Sequence, residues 1–336
     1  MATKVAINGF GRIGRLALRC IVETNRSDLQ VVALNDLGSV DENAHLFRYD
    51  TVHGRFNGTV KTTKDTMDVG KGVMKVMAEK DPAKLPWKDL GIDLVLECTG
   101  RFTKREQAEA HLKAGAKRVL ISAPADGVDL TVVYGVNHDK LEGKHTIVSN
   151  ASCTTNCLSP VAMVLNQTFG IEKGFMTTIH AYTADQRLQD TLHPDPRRAR
   201  AAAMSMIPAS SGVAKAIQLV LPELKGKLDG TAIRVPVANV SVVDLKFTST
   251  KKMTVESINA AMTEAANGNR LKGILNVSNE PLVSSDYNHT TWSSTIDMLE
   301  TRTVGNNFGR VMSWYDNEWG FACRMIDTAQ AMAKLG

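Results

Sequence analysis

The chain opens on short apolar runs alternating with amphipathic ones. Val5-Ala6-Ile7-Asn8 has the pattern of a buried strand, and the stretch from Arg15 to Val22 has helical character. Leu29 to Asp36, Gly72 to Met77, Asp93 to Gly100 and Lys117 to Pro124 read as further strands, with a helix predicted from Arg105 to Ala114. Strands alternating with helices predict a parallel, doubly wound sheet, whose ligands sit beyond the carboxyl ends of its strands. Between Asp41 and Gly70 the pattern dissolves into Asp, Gly and Thr. That segment reads as a loop-like insertion centred on Tyr49-Asp50-Thr51-Val52-His53-Gly54, with no chemistry assigned.

The pattern then changes. A strand-like Thr146-Ile147-Val148 leads into the small polar run Ser149 to Pro160, and a helical run follows from Val161 to Leu165. Pro160 argues against an uninterrupted helix from Cys153, so the helix is expected to kink there or to start late, with Ser159 as its cap. Phe175 to His180 reads as a strand. Tyr182 to Ala203 is polar and basic, and Pro194 and Pro196 exclude a regular helix from it. Ser210-Ser211-Gly212 precedes a helix predicted over Val213 to Val220. Apolar strands follow at Ile233 to Val237, Val240 to Leu245 and Val311 to Tyr315, without strand–helix alternation between Ile233 and Phe247. This half is expected to be α+β with a mostly antiparallel sheet. Asp316 to Gly320 reads as a loop and Phe321 to Leu335 as a closing helix. The expected division is 1–150, closed by a C-terminal helix over 318–336, and 151–317.

Two stretches carry candidate chemistry. Gly9-Phe10-Gly11-Arg12-Ile13-Gly14 is G-x-G-x-x-G set between a strand and a helix, and Asp36 ends the next strand. The first glycine makes the turn, the second admits a pyrophosphate and the third lets helix pack on strand. Asp36 suits the ribose hydroxyls of NAD and repels a 2′-phosphate. The other stretch centres on Cys153. A thiol at a strand-to-helix junction meets free N–H groups, whose positive end lowers its pKa, and the thiolate is the reactive form. His180 ends a strand 27 residues later and can pair with it as a base. Arg234 inside a strand needs either an anionic substrate or a structural carboxylate. Cys98 reads as core.

Composition narrows the classes. With 43% hydrophobic and 22% charged residues the chain is ordinary for a globular protein, long enough for two domains. Neither a membrane-spanning run nor a targeting segment is visible. The net charge of +5 is spread along the chain, which suits a small anion better than dedicated nucleic-acid binding. Five cysteines without a framework predict free thiols, a cytoplasmic setting and no metal site.

With these stretches in hand, the chain resembles the phosphorylating glyceraldehyde-3-phosphate dehydrogenases over essentially its whole length. The resemblance rests on Ala6 to Arg15, Ser149 to Leu158, Thr177 to Thr183, Arg197 to Ala203 and Trp314 to Gly320. It implies a Rossmann-type NAD-binding domain followed by a catalytic domain. It also implies a homotetramer whose Tyr182–Ala203 loop reaches a neighbour's cofactor. Cys153 is then the nucleophile, with its N–H an oxyanion donor, and His180 the base. Ser152, Thr154, Arg200, Ser211 and Gly212 would hold the attacking inorganic phosphate. Thr183, Asp185 and Arg234 would hold the phosphate of glyceraldehyde 3-phosphate. Arg12, Ile13, Asp36, Lys80, Ser122 and Asn317 match cofactor positions alongside Gly9, Gly11 and Gly14. Ser211, Ala184 and Thr191-Leu192 depart from the usual family residues, the last pair bearing on NAD against NADP. A close relative acting on erythrose 4-phosphate, and a non-enzymatic NAD sensor or RNA binder, are the rival readings.

Overall fold

The computed structural model describes residues 2–335. It divides into two compact units: one runs through Val132, takes up His138–Ser152 and resumes at Ala322, and the other comprises Val133–Asn137 and Cys153–Phe321.

The first unit contains β1 (Thr3–Asn8), α1 (Arg12–Glu23), β2 (Leu29–Asn35), α2 (Val40–Arg48), β3 (Lys61–Thr62), β4 (Thr66–Asp68), β5 (Val73–Met77), α3 (Trp87–Leu90), β6 (Leu94–Glu97), α4 (Arg105–Lys113), β7 (Arg118–Ile121), β8 (Leu130–Thr131) and β9 (Ile147–Ser149). The nine strands lie in the order β3-β4-β5-β2-β1-β6-β7-β9-β8. β5, β2, β1, β6, β7 and β9 run parallel, and chain order reverses direction about β1. That reversal is the switch point where open α/β sheets bind ligands. Val5, Ala6, Ile7, Val95 and Leu96 are fully buried, as expected for strands covered on both faces.

Two glycines of the turn after β1 are dictated by packing. Gly9 has φ +90°, and a Cβ on it would lie 2.6 Å from the Thr99 amide nitrogen. A Cβ on Gly14 would lie 2.0 Å from the Gly9 carbonyl oxygen, whereas one on Gly11 would meet nothing within 4 Å. The first and third glycines therefore serve backbone packing, and the second faces open space.

The expected loop between 41 and 70 is corrected by the structure. It holds most of α2 and the short strands β3 and β4, which pair antiparallel with each other and, through β4, with β5. Helix α2 has a complete capping box between Ser39 and Glu42, with acidic residues in its first turn and basic ones in its last. Asp50 organises the turn beyond α2. It accepts both Arg12 guanidinium nitrogens, Nη1 at 2.6 Å and Nη2 at 3.2 Å, and the backbone N–H groups of Val52 and His53. Burial pushes the Asp50 carboxyl up, but the Arg12 pair and the backbone donors outweigh it and hold it at about 2.

The second unit contains α5 (Cys153–Phe169), β10 (Ile171–Ala181), β11 (Ile207–Ser210), α6 (Val213–Val220), β12 (Leu228–Val235), β13 (Ser241–Ser249), α7 (Val255–Asn267), β14 (Leu275–Ser278), β15 (Ser294–Val304) and β16 (Phe308–Tyr315). Its sheet runs β11-β12-β10-β13-β16-β15-β14. Only β10–β12 and β14–β15 pair in parallel, so it is mostly antiparallel. Helix α5 packs on β10, β13, β15 and β16. It begins at Cys153 and continues through Pro160 to Phe169, correcting the expected late start. Pro160 removes one backbone donor, while the Ser159 hydroxyl donates back to Thr155 O at 2.7 Å. Burial of Leu158, Val161, Ala162 and Leu165 holds the helix through the defect. The closing helix α8 (Trp319–Ala333) starts two residues earlier than the pattern suggests. Residues 1 and 336 of the expected division lie outside the described residues.

Two stability tests arise from this packing. Gly14→Ala forces a methyl into a backbone oxygen and should cost about 1–3 kcal/mol in urea unfolding; an unchanged midpoint would refute the close approach. Asp50 has a folded pKa below its unfolded one, so its stabilisation is complete above about pH 4 and disappears as pH falls through about 2. Asp50→Asn should lose about 2 kcal/mol at neutral pH and flatten the acid limb of the stability curve, readable by urea titration across pH 2–7.

Candidate active site

Register builds the centre of the second unit. β10 and β12 run parallel with His180 opposite Arg234, and α5 starts with its first residue, Cys153, at the same place. Cys153 Sγ lies 3.5 Å from His180 Nε2. His180 Nδ1 lies 2.7 Å from the Ala181 carbonyl oxygen, which can only accept. The carbonyl favours a proton on Nδ1, which leaves Nε2 free to accept from the thiol, whereas donor-only Arg234 Nη1 beside the same Nδ1 opposes that tautomer. Arg234 Nη1 donates to the same carbonyl at 3.0 Å and lies 2.8 Å from His180 Nδ1. Arg234 Nε is buried without a partner, and no carboxylate pairs with Arg234 among the described residues. A half-buried guanidinium whose buried Nε has an unmet donor favours the anionic-ligand alternative over the structural one.

Tyr315 lies behind the pair. Its hydroxyl bridges Thr154 Oγ1 at 2.9 Å and Thr178 Oγ1 at 2.8 Å, and its ring meets the His180 imidazole edge-on at 5.9 Å. Another relay runs from Ala181 N–H to Ser241 Oγ at 3.0 Å and from that hydroxyl to Asn317 Oδ1 at 2.8 Å. It orients the Asn317 amide so that its NH₂ end remains the donor.

The electrostatics differ from the sequence expectation. Burial pushes the Cys153 thiol up, further than Arg234, the Thr154 donors and the α5 N–H groups pull it down. Burial and Arg234 together pull His180 down to about 3, so the imidazole is neutral. Helix-end activation is present but outweighed. Cys157, one turn on, is fully buried against Ser294 and Ser313, and burial pushes it up to about 12. Reactivity therefore belongs to half-buried Cys153. The residue two before it, Ala151, is held at φ +56°, a conformation that costs about 1–2 kcal/mol for a non-glycine residue.

In the first unit Gly9, Gly11, Arg12, Ile13 and Gly14, with Asp36, Lys80 and Ser122, lie on segments at the carboxyl ends of β1, β2, β5 and β7. Asp36 Oδ2 accepts the Phe10 N–H at 2.6 Å, tying the second strand's end to the glycine turn. Arg12 is held by Asp50. Gly11 caps α1 with no side-chain hydrogen bond, and its open face leaves the helix start accessible. These features fit a dinucleotide whose phosphates need bare backbone N–H groups.

Comparison with known proteins agrees across both units. Residues 3–105 match the glyceraldehyde 3-phosphate dehydrogenase NAD binding domain, and residues 152–317 match the C-terminal domain of the same family. The glyceraldehyde-3-phosphate dehydrogenases of Xanthobacter flavus and Cereibacter sphaeroides are 64% and 60% identical, each over all of both chains. That of Geobacillus stearothermophilus is 55% identical, again over both full lengths. The chain belongs to the glyceraldehyde-3-phosphate dehydrogenase family.

Within this glyceraldehyde-3-phosphate dehydrogenase fold the expected phosphate residues fall into separate groups. Thr154 and Arg234 are at the Cys–His pair. Thr183 begins the loop after β10 and is held by Gln186. Arg200 is on the surface, paired with Asp190, both more than half exposed. Arg198, half-buried, acts electrostatically on both His180 and Arg234. Asp185 carries the charge of the wrong sign for a phosphate ligand. It pairs with Arg198 and approaches His193 at 3.5 Å, and so orients a cation instead. Ser211 and Gly212 lead into α6. They follow β11, whose last residue Ser210 pairs with Thr231, about 10 Å along β12 from Arg234. Ser152 closes the first unit's segment. The sequence does not single out Tyr315, Arg198 or Thr178; a buried tyrosine with two threonine partners becomes visible only once β10 and β16 are placed on either side of β13.

Arg234→Gln tests the electrostatic reading. Loss of the cation disfavours thiolate and favours imidazolium, so the alkylation profile of Cys153 with iodoacetamide should move to higher pH and the His180 titration seen by NMR should also move up. Unmoved profiles would remove Arg234 from the electrostatics of the pair.

Proposed function

We infer that the chain oxidises glyceraldehyde 3-phosphate with NAD and inorganic phosphate, giving an acyl phosphate through a covalent thioester on Cys153. The observation that carries this reading is the Cys153–His180 contact of 3.5 Å beside half-buried Arg234, whose buried Nε has an unmet donor. The thiol gives its proton to His180 Nε2 as sulfur bonds to the aldehyde carbon, and the imidazolium hands that proton to the former carbonyl oxygen, giving a thiohemiacetal and a neutral His180 again. An anion on Arg234 would draw the guanidinium from His180 Nδ1, relieving the charge that disfavours imidazolium. His180 then takes the hydroxyl proton of the thiohemiacetal as its carbon–hydrogen bond pair leaves as hydride and a thioester remains. Bound NAD supplies the hydride acceptor. A phosphate oxygen attacks the thioester carbon, and sulfur leaves as thiolate.

Arg234 and Arg198 form the cationic part of the site, and Thr154 steadies the sulfur. Asp185 positions Arg198. Thr183 serves the substrate phosphate, while Ser152, Ser211 and Gly212 serve the attacking one. Gly9, Gly11, Arg12, Ile13, Gly14, Asp36, Lys80 and Ser122 receive the cofactor, and the Asn317 amide donates to its carboxamide. The cofactor-binding and catalytic divisions follow the 1–150 with 318–336 and 151–317 boundaries. Leu188, Leu192, Met204 and Met206 stand exposed on the loop after β10, which supports a homotetramer in which copies cover them. The five free thiols support a reducing, cytoplasmic setting.

The test is NAD reduction with glyceraldehyde 3-phosphate and with erythrose 4-phosphate, each with and without phosphate. Sustained turnover should need the triose and phosphate together; phosphate-independent turnover of the tetrose would favour the hydrolytic alternative. Cys153→Ser should lose about 10³-fold or more in kcat while NAD affinity is retained, and wild-type-like turnover would overturn the mechanism.

A further inference from the structure

Beneath the rim of the first unit lies a buried polar cluster that no step of the proposed reaction uses. Glu97, at the end of β6, is 1% exposed, and His111 on α4 and Trp87 at the start of α3 are fully buried. The Trp87 indole donates to His111 Nδ1 at 3.0 Å. Indole nitrogen is donor-only, so His111 Nδ1 must be the acceptor and the ring proton sits on Nε2. Nε2 therefore donates to Glu97 Oε2 at 3.0 Å. The same oxygen accepts Asn8 Nδ2 at 2.6 Å. The other oxygen accepts the Thr99 N–H at 2.8 Å and the Thr99 hydroxyl. Asn8 Oδ1 accepts Asn35 Nδ2 at 2.8 Å, and Asn35 also exchanges hydrogen bonds with the Glu79 backbone on both sides.

Asn8, Asn35 and Glu97 end strands, Glu79 lies two residues past the end of β5, and the residues next to them form the rim. Asn8 precedes Gly9, Asn35 precedes Asp36, Glu79 precedes Lys80, and the Glu97 carbonyl oxygen accepts the Ser122 N–H at 2.9 Å. Gly9 rests on the Cys98–Thr99 backbone with no room for a side chain. The glycine turn and the Thr99 turn are thus tied to one carboxylate directly, and the Asp36 and Lys80 segments through Asn35 and Asn8.

We propose that Glu97 is a positioning residue for the dinucleotide: its carboxylate sets the glycine turn, the Asp36 and Lys80 segments and the Thr99 turn in one fixed arrangement before the cofactor arrives. Asn8 Nδ2, His111 Nε2 and the N–H and hydroxyl of Thr99 all donate to this side chain, which requires an acceptor-only group, because a carboxamide would turn one end into a donor facing other donors. His111 serves through Nε2, and Trp87 holds that nitrogen in its donor form. The proposal rests on the reading of this rim as the NAD site.

The experiment measures NAD affinity by fluorescence titration alongside iodoacetamide alkylation of Cys153 in cofactor-free enzyme. Glu97→Gln should weaken NAD binding about tenfold or more, with the alkylation rate unchanged. His111→Gln keeps a nitrogen donor at the Nε2 position and should stay within about twofold of wild type. His111→Asn lacks it and should weaken binding by about fivefold or more. Histidine ¹⁵N NMR should show His111 as the Nε2–H tautomer. Unchanged affinity in Glu97→Gln, equal losses in the two His111 variants, the opposite tautomer, or alkylation falling in step with affinity would each overturn the proposal. Asp36→Gly separates the two readings. If it relaxes discrimination against NADP while Glu97→Gln binds NAD normally, the rim stands and the positioning role fails; if NAD and NADP binding are both untouched by Asp36→Gly, the rim reading itself fails.

Discussion

A guanidinium held 2.8 Å from an imidazole nitrogen sets the chemistry of the second unit. Positive charge beside His180 disfavours imidazolium and favours thiolate on Cys153, whereas burial disfavours both ions. The result is a neutral thiol–imidazole pair in the ligand-free protein. The buried, unmet Nε of Arg234 makes the pair responsive to an anion, since a phosphate on the guanidinium would offset the charge that keeps His180 unprotonated. Binding of an anionic substrate and formation of the reactive sulfur are then coupled electrostatically, without any change of fold.

The first unit solves a different problem, the close approach of backbones. Its glycine turn exists because Gly14 faces the Gly9 carbonyl and Gly9 faces Thr99. The hydrogen bonds gathered on Glu97 give the same contacts direction, and buried polar groups satisfied in this way specify a single arrangement more sharply than apolar packing can. Rigidity at the strand ends and openness at Gly11 are complementary requirements of a surface that must present bare N–H groups to phosphate.

Much of the molecule is legible from local pattern. The glycine spacing, Asp36, the polar run around Cys153 and the strand ending in His180 identify the two chemical centres, and the order of strands and helices gives the class of each sheet. The insertion between 41 and 70 reads as a loop although Ser39 and Glu42 spell a capping box, because its apolar positions are too few to show a period. Pro160 weighs too heavily in a local reading, where its penalty is set against no knowledge of the packing that offsets it. Helix α7 and strand β15 escape assignment for the same reason: their half-buried faces acquire an apolar side only against neighbours distant in sequence.

The sequence by itself determined which residue types stand at strand ends and helix starts, since turns, caps and alternation are local properties of the chain. Tertiary structure alone decided that Arg198 rather than Arg200 acts on the histidine, that Arg234 faces His180 across a parallel pair, and that Tyr315 and Glu97 gather partners from several elements. Those are consequences of register and burial. Electrostatic coupling and hydrogen-bond geometry depend on distances of a few ångströms between residues tens of positions apart, and no local pattern encodes them.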